Sequence, residues 1–393
     1  MSMKPFAALV GLTFLGVSAL AAFPSAALAA DETILIGMPA NLTGDLSSLD
    51  GPMVSGAKLK AQQINAAGGV LGKMLELVIV DTRTDRATVA AEGKQLIARR
   101  PAAIVAYTDS DSVLTLGPLA QEAGIPFVTP GATSPKLPGE IGDALFLACF
   151  GDNVQAAAGA EFLHRTLRAR TVYLLSDTTN VYTTLLSSYF KQAFAHDGGT
   201  ILLEDTYKAD DVSIASQIAR LLALPAKPDA LYVAALPDDI GPLVKQLRAA
   251  GVNQPIVGGD GYDTPLLLGI GGAAANDVYF STHVYMAEDG TDAVKAFYAA
   301  YKAAYGRAPE NAFAGLGYDA IGLVAQAIAK AGSADPAKIR ATLATTENFA
   351  GITGTVSYRP GSRIPDKGVA IIGVKDGRLS LAAELTPSWV PAP

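Results

Sequence analysis

The sequence predicts an α/β protein built on two doubly wound parallel sheets. Three observations lead there. Short apolar runs alternate with segments of helical period through most of the chain. The first elements are a strand at Ile34–Met38, an amphipathic helix at Ser55–Ala66, a turn at Gly68-Gly69 and a strand at Leu75–Val80. Such a β-α-β start places its two strands parallel. The strand candidates are too many for one sheet of ordinary size, and a break near Phe150–Asn153 divides them.

In Ser55–Ala66 the apolar Ala57, Ala61 and Ile64 recur at i, i+4 and i+7, with Lys58, Lys60, Gln62 and Gln63 mostly on the other side. Gly68-Gly69 then caps the helix. Further strands are expected at Ala103–Tyr107, Phe127–Thr129, Val172–Leu175, Leu231–Ala235, Pro255–Val257 and Val278–Ser281. Helices are expected at Thr84–Arg99, Ser112–Ala123, Asp152–Arg168, Thr183–His196, Val212–Ala223 and Asp239–Ala250. Gly124-Ile125-Pro126 and the stretch from Gly251 to Pro255 each stop a helix and start a strand. After Tyr285 the chain is helix-rich, with Asp292–Tyr305 and Tyr318–Ala331, and it closes on strand-like runs at Gly354–Tyr358 and Gly368–Val374. No convincing internal repeat is present, although each half opens with comparable β-α units.

Half of the 393 residues are hydrophobic and 17% are charged, which suits a well-buried fold. The formal net charge is −7, and the longest basic cluster is Arg99-Arg100, so nucleic acid is not an expected partner. The N-terminus has the form of an export signal: Lys4, an apolar run from Phe6 to Phe23, Pro24, then Ala27-Leu28-Ala29. Cleavage is expected after Ala29. An uncleaved anchor is the competing reading, since the run nearly spans a bilayer. The single cysteine, Cys149, lies deep in the chain. It offers no lipidation site at the signal and no internal disulfide, so a soluble periplasmic protein with a buried, inert thiol is expected.

In open α/β sheets the ligand lies beyond the carboxyl ends of the strands. There the first half presents Asn41–Leu49, then Thr108-Asp109-Ser110-Asp111-Ser112, then Gly131-Ala132-Thr133-Ser134. These loops are rich in hydroxyls and lie near helix N-termini, which favour an anion such as a carboxylate. Simple helix capping by Ser112 and Ser134 is the competing reading. The second half presents Asp177 with Tyr182, Leu236 with Asp238 and Asp239, and Asp260 with Tyr262. An acid at that edge can receive an ammonium, and the tyrosines can wall a ligand or simply fill the core.

Catalytic and metal motifs are missing. His164, His196 and His283 make no metal-ligand spacing, and there is no nucleophile elbow and no Walker sequence. His164 and His196 lie on helices and belong to the surface, while His283 follows a strand and could face either the cleft or the core. Gly315-Leu316-Gly317-Tyr318-Asp319-Ala320 formally matches a dinucleotide fingerprint at a helix opening, but Asn311–Ala314 is too short for the strand it needs. Close packing is the reading taken. No cofactor and no enzymatic activity are expected.

The chain resembles the type I periplasmic solute-binding proteins of ABC importers, specifically the Leu/Ile/Val-binding branch. The matching residues are Ile36-Gly37 with Leu42-Thr43-Gly44, Gly56-Ala57, Ile64-Asn65-Ala66-Ala67-Gly68-Gly69-Val70, Gly72-Lys73, and Asp81 with Asp85. Ala123-Gly124-Ile125-Pro126, Thr129-Pro130, Ala132-Thr133 and Tyr318-Asp319-Ala320 follow in order. The resemblance covers roughly Thr33 to Leu379. It implies two lobes joined by three crossovers, with the ligand cleft between them. The expected division is 1–29 signal, 30–151 with 284–361 as lobe one, and 152–283 with 362–393 as lobe two.

By position, Ser110, Gly131 and Thr133 match residues that hold a ligand carboxylate and part of its amine, with Ala132 in the same loop. Asp260 matches the acid that receives the α-ammonium, and Tyr182 the aromatic covering the backbone group. Leu49 and Leu236 depart from the family, since aromatics are common at both places, and they imply an aliphatic wall. The family's disulfide is absent, with Asp109 in one of its cysteine positions. The implied function is cleft-closure binding of a small amino acid, of apolar or branched-chain type, for delivery by a monomer to an inner-membrane permease. An aromatic or aliphatic carboxylic acid or amide remains open as the ligand, and a periplasmic sensor subunit as the role.

Overall fold

The computed structural model describes residues 33–209, 211 and 213–393; the expected export signal lies outside them. The first run of elements is β1 (Ile34–Ala40), α1 (Ser47–Ala66), β2 (Leu75–Asp81), α2 (Arg86–Ala98), β3 (Ala103–Val105), α3 (Ser110–Glu122), β4 (Phe127–Thr129), α4 (Leu137–Ile141) and β5 (Leu145–Leu147). The second run is α5 (Asp152–Glu161), β6 (Thr171–Asp177), α6 (Val181–His196), β7 (Thr200–Tyr207), α7 (Ala215–Leu222), β8 (Ala230–Ala234), α8 (Pro237–Ala249), β9 (Ile256–Gly258), α9 (Pro265–Gly271) and β10 (Val278–Thr282). The chain continues through α10 (Asp292–Tyr305), α11 (Ala312–Ala331), α12 (Pro336–Leu343), β11 (Phe349–Gly351) and β12 (Gly354–Val356), and ends with β13 (Val369–Lys375) and β14 (Arg378–Leu385).

The first sheet has the order β2-β1-β3-β4-β5 and is parallel throughout. The second has the order β14-β13-β10-β9-β8-β6-β7. Its β7, β6, β8, β9 and β10 repeat the strand order of the first sheet, and β13 and β14 extend it antiparallel. The two lobes thus share a topology that no sequence repeat announces. The parallel strands β3, β4 and β8 are buried along their whole length, as sheets covered by helices on both faces require.

Two apolar cores follow the two sheets. One draws on Ile34 to Cys149 and, after a long gap, on Phe313 to Tyr358. The other draws on Phe150 to Phe280 and then on Val369 to Val374. The chain therefore crosses between lobes three times. We propose the lobe limits expected above, 30–151 with 284–361 and 152–283 with 362–393. The crossovers are tied to each other: Lys367 on the third, buried, donates from Nζ to the Ala148 carbonyl beside the first, at 3.0 Å.

The return of the chain to lobe one depends on helix α11, which lies across α1. At their crossing a Cβ on Gly56 would lie 1.8 Å from the Ala314 carbonyl oxygen, and one on Gly317 would lie 1.9 Å from that of Met53. Only glycine permits this backbone contact. The formal dinucleotide fingerprint is thus close packing. It sits inside α11, which starts at Ala312, rather than opening a helix at Tyr318. Asp263 caps that start from lobe two, its Oδ2 accepting the Ala312 N–H at 3.0 Å.

Several boundaries differ from expectation for identifiable reasons. Helix α1 starts at Ser47, not Ser55. Pro52 inside it leaves the Ser48 carbonyl without its helical donor, and Asn311 Nδ2 supplies one at 3.0 Å. The expected helix to Arg168 stops at Glu161 and continues as a single π turn, Phe162–Thr166. Strands β5, β7, β11 and β14 and helices α4, α9 and α12 were not expected from the pattern. Edge strand β14 is largely exposed, and edge strand β7 fully buries only Asp205 and Tyr207, so neither shows an apolar period.

The α1–α11 contact makes a direct prediction. Gly317→Ala forces two backbones apart and should cost about 3 kcal/mol, the upper end for overpacking. Gly322→Ala, on the same helix, would meet only the end of Lys60 and the ring of Phe349, at 3.1 and 3.2 Å, and should cost less. Urea unfolding of both variants checks the ranking.

Candidate functional site

The loops after β1, β3 and β4 and those after β6, β8 and β9 converge on one cavity of about 180 Å³ between the lobes. It lies at the switch point of both sheets, where connections leave in opposite directions. Lobe one contributes Leu46 and Leu49 after β1, Thr108 to Ser112 after β3, and Thr133 after β4. Lobe two contributes Thr179, Asn180 and Tyr182 after β6, Leu236 after β8, and Asp260 and Gly261 after β9.

Of the residues singled out from the sequence, Leu49, Ser110, Thr133, Tyr182, Leu236 and Asp260 line the cavity. Gly131 and Ala132 stand behind its wall. A Cβ on Gly131 would lie 2.8 Å from the Phe313 ring, so the glycine lets that ring come forward. Ala132 is fully buried, its N–H donated to Thr129 Oγ1 at 3.1 Å. Tyr262 is a core residue whose hydroxyl donates to the Val233 carbonyl. Asp177 is turned into its own loop, accepting from the Thr179 N–H at 2.9 Å. The fully buried Cys149 thiol is pushed up by burial, which makes it inert.

The sequence reading missed Phe313, Thr84, Arg86, Thr179, Asn180 and Gly261 in the lining. Thr84 and Arg86 follow β2, so the strand-end rule applied to that strand would have found them. Phe313 arrives on α11 from the far end of the chain, and no local signal marks it.

The first-lobe floor is set by two buried acids. Asp50 accepts from the Asn41 N–H at 2.6 Å and from the N–H and hydroxyl of Thr108 at 3.0 and 2.6 Å, tying the ends of β1 and β3 together. Burial, with Asp109 nearby, pushes its carboxyl up to about 7. Asp109 caps α3 by accepting the Ser112 N–H at 2.7 Å and also takes an Asn41 Nδ2–H at 3.0 Å. Burial raises it to about 6. Ser110, the first residue of α3, accepts the Ser134 N–H at 3.3 Å, which leaves its hydroxyl hydrogen free to donate. Ser110, at the N-terminus of α3, lines the same cavity as Thr133, an arrangement suited to an anion.

On the other wall, Gln155 organises Asp260. The Asp260 N–H must donate, so the Gln155 atom 3.0 Å away is the carbonyl oxygen, which also accepts from Ser281 at 2.7 Å. The Gln155 amide nitrogen then donates to Asp260 Oδ1 and to Asp152 Oδ1, both at 3.0 Å. Every hydrogen-bonding site of this buried amide is used. Asp152 is raised to about 8 by burial and by Asp260. Tyr182 accepts the Gly261 N–H at 3.0 Å, which fixes its ring over the cavity.

These raised carboxyls set a pH dependence. Asp50, Asp109, Asp152, Asp239 and Asp263 are raised to between about 6 and about 8, burial first in each case. Each holds its proton more tightly folded than unfolded, where an aspartate titrates near 4. From about pH 4 to about pH 8 the native state therefore binds more protons, and stability falls as pH rises. His283, lowered by burial, acts the other way around its ordinary range, one group against several. The lowered carboxyls, Asp81, Asp85, Asp143 and Asp229, act only at lower pH. The urea midpoint of the ligand-free protein should fall from about pH 5 to about pH 8; a rising midpoint would contradict the assignment.

Comparison with known proteins agrees with this architecture. A model of the family described as periplasmic binding protein matches residues 33–378. The leucine-, isoleucine-, valine-, threonine- and alanine-binding protein of Pseudomonas aeruginosa is 26% identical over 340 residues, 86% of this chain and 89% of that protein. The isoleucine complex of a branched-chain amino acid transporter substrate-binding protein from Streptococcus pneumoniae is 28% identical, with a TM-score of 0.83 over 90% of this chain and 99% of that one. A leucine-binding protein from Thermotoga maritima is 30% identical, with the same TM-score and coverage. With two like-wound lobes, three crossovers and a cleft at both switch points, the chain belongs to the periplasmic binding protein family.

Proposed function

We propose that this chain is the periplasmic substrate-binding protein of an ABC importer, and that it captures a small amino acid with an apolar side chain. The observation that carries the reading is that this cavity is lined by both hydrogen-bonding and aliphatic side chains. Ser110, Thr133 and the N-terminus of α3 offer donors for a carboxylate, and Asp260 offers a carboxylate for an ammonium. Leu46, Leu49, Leu236 and Phe313 supply the apolar remainder. A cavity of about 150 Å³ holds a benzene ring, so about 180 Å³ suits a ligand of amino-acid size. The small amino acids named for the relatives from Pseudomonas, Streptococcus and Thermotoga, all apolar except threonine, support the same class. The export signal expected at the N-terminus supports a soluble periplasmic location, and delivery then falls to an inner-membrane permease.

A carboxylic acid without an amine fits less well. Four aspartates, Asp45, Asp109, Asp111 and Asp260, line the cavity, and Arg86 in that lining is paired with Asp111. A zwitterion brings its own cation to such a wall.

Binding works by closure. Asp111 on α3 reaches across the cleft and accepts the Val181 N–H, at the first turn of α6, at 3.1 Å. A lobe-one carboxylate thereby caps a lobe-two helix, with Arg86 holding it from behind. That contact and the two-lobe grip on a ligand exist together only in the closed form, so each favours the other. Closure also excludes water, which strengthens every charge-assisted bond in the cavity.

Four outcomes are expected. Wild-type protein should be stabilised by L-leucine, L-isoleucine or L-valine in a thermal-shift screen and not by the corresponding acids without the amine. Asp260→Ala should weaken the amino acid by roughly 2–4 kcal/mol; unchanged affinity in calorimetry removes Asp260 from the ammonium role. Asp111→Ala should weaken the same ligand by about 1 kcal/mol through loss of the cross-lobe cap. Scattering from the ligand-free variant should show a more open average than wild type.

A further inference from the structure

His283 begins the second crossover directly after β10, and its side chain has no access to solvent. It stacks on Phe150 of the first crossover, with ring centroids 4.1 Å apart and planes at 22°. It also meets Phe313, a cavity residue, edge-on at 5.6 Å. One ring nitrogen, Nε2, lies 3.0 Å from Asp260 Oδ2. The other, Nδ1, is buried and has no hydrogen-bond partner.

This geometry selects one form of the ring. A bond to a carboxylate oxygen needs a hydrogen on Nε2. A hydrogen on Nδ1 as well would leave a buried donor unpaired in an aromatic slot, which costs more than the bond returns. The ring is therefore the neutral Nε2–H tautomer. The charged and titratable groups around it agree. Lys367, on the third crossover, opposes a second positive charge nearby, and Asp260 alone favours one. Lys367 is itself engaged by the Ala148 carbonyl, by Thr353 Oγ1 at 2.8 Å and by the charge of Asp319. Asp152 and Cys149 also lie near Asp260.

The side-chain donors that Asp260 receives from the protein are then both neutral, the Gln155 amide and the His283 imidazole. They fix its direction without cancelling its charge. We propose that His283 is a specificity-determining positioning residue: held as a neutral Nε2–H donor by its aromatic slot, it aims Asp260 at the cavity and leaves the carboxylate charge for the ligand to neutralise, so that the site takes a primary ammonium and refuses the deaminated acid of the same shape. This rests on the amino-acid reading of the cavity. It adds how the discrimination is built, namely from the hinge side and by a residue that does not line the cavity.

The test has two arms. In the first, the ring nitrogens of His283 are followed by NMR in uniformly 15N-labelled, ligand-free protein, with His283→Met identifying the signals. The Nε2–H tautomer should persist unchanged from about pH 8 to about pH 5.5, below the ordinary histidine range. Titration within that window, or the Nδ1–H tautomer, overturns the proposal whatever the ligand is.

In the second arm, calorimetry measures L-leucine and 4-methylpentanoate on wild type, His283→Gln and His283→Met. His283→Gln restores a neutral donor and should keep the wild-type preference for the amine. His283→Met should lower L-leucine affinity at least tenfold and leave 4-methylpentanoate unchanged or tighter. A parallel loss of both ligands marks a merely structural residue and overturns the proposal. Wild type that binds the two ligands equally overturns the proposal too. Wild type that binds neither, nor any other amino acid, defeats the amino-acid reading and the proposed discrimination with it, while the first arm still decides the form of the ring.

Discussion

The contact on which the rest of the structure depends is the backbone approach of α1 and α11. Two carbonyl oxygens, of Met53 and Ala314, occupy the space where Cβ atoms of Gly317 and Gly56 would otherwise stand. Because α11 belongs to the core of lobe one yet follows lobe two in the chain, this packing obliges the chain to cross back, and β13 obliges it to cross again. The three crossovers are a consequence of where α11 and β13 find their apolar partners. A hinge made of three neighbouring strands of chain bends in few directions, so the lobes close on the switch points of their own sheets. Asp263 of lobe two takes a free N–H at the entry into α11, and Asn311 beside it serves the carbonyl that Pro52 leaves open in α1.

The cleft inherits a second constraint from the sheets. Parallel strands end where helices begin, so free N–H groups and capping carboxylates gather at one edge. When two such edges face each other, the acids are buried together, and their carboxyls rise accordingly, Asp50 to about 7 and Asp152 to about 8. The wall is then short of cations. Lys367 lies behind it and is bound to the hinge, and Arg86 is bound to Asp111. Under the proposed function, an ammonium on the ligand completes a wall of this composition, and closure then depends on the ligand's own charge and not on contact area alone.

How far the sequence spoke depended on how local each signal was. Strands β3, β4 and β8 are continuous apolar runs between turns, and they were found. Strand β7 is an edge whose exposure alternates only from Glu204 to Tyr207, with the polar Asp205 on its buried side, and β14 presents mostly exposed side chains, so neither carries an apolar period. Helices α1 and α11 were found short because glycine and proline in their first turns count against a helix until the partner helix is known. At the site, Ser110, Thr133, Tyr182, Leu236 and Asp260 each follow their strand within a few residues, and the strand-end rule reached them. Phe313 comes from α11 of the first core, Gln155 acts from α5 of the second lobe and His283 from the second crossover. Their roles exist only once distant segments are brought together, and no spacing in the sequence encodes that. The common strand order of the two lobes is a further case, since topology repeats where residues do not.

The departures at Leu49 and Leu236 gain meaning from the same geometry. Where the family often places aromatics at those two positions, this cavity has aliphatic walls, and its aromatic surfaces are Phe313 and Tyr182. Both of these are held by polar or hinge contacts: Tyr182 through the Gly261 N–H, Phe313 against His283 and over Gly131. Both rings are thus tied to the neighbours of Asp260, Tyr182 to Gly261 and Phe313 to His283, while Leu46, Leu49 and Leu236 make up the deformable part of the lining. Leucine side chains repack at modest cost when volume changes by a methylene or two. On the proposed reading such a site is strict about the ammonium and tolerant of the aliphatic group attached to it, and the two properties are separable because they rest on different elements: α5, β9 and the crossovers for the first, the loops after β1 and β8 for the second.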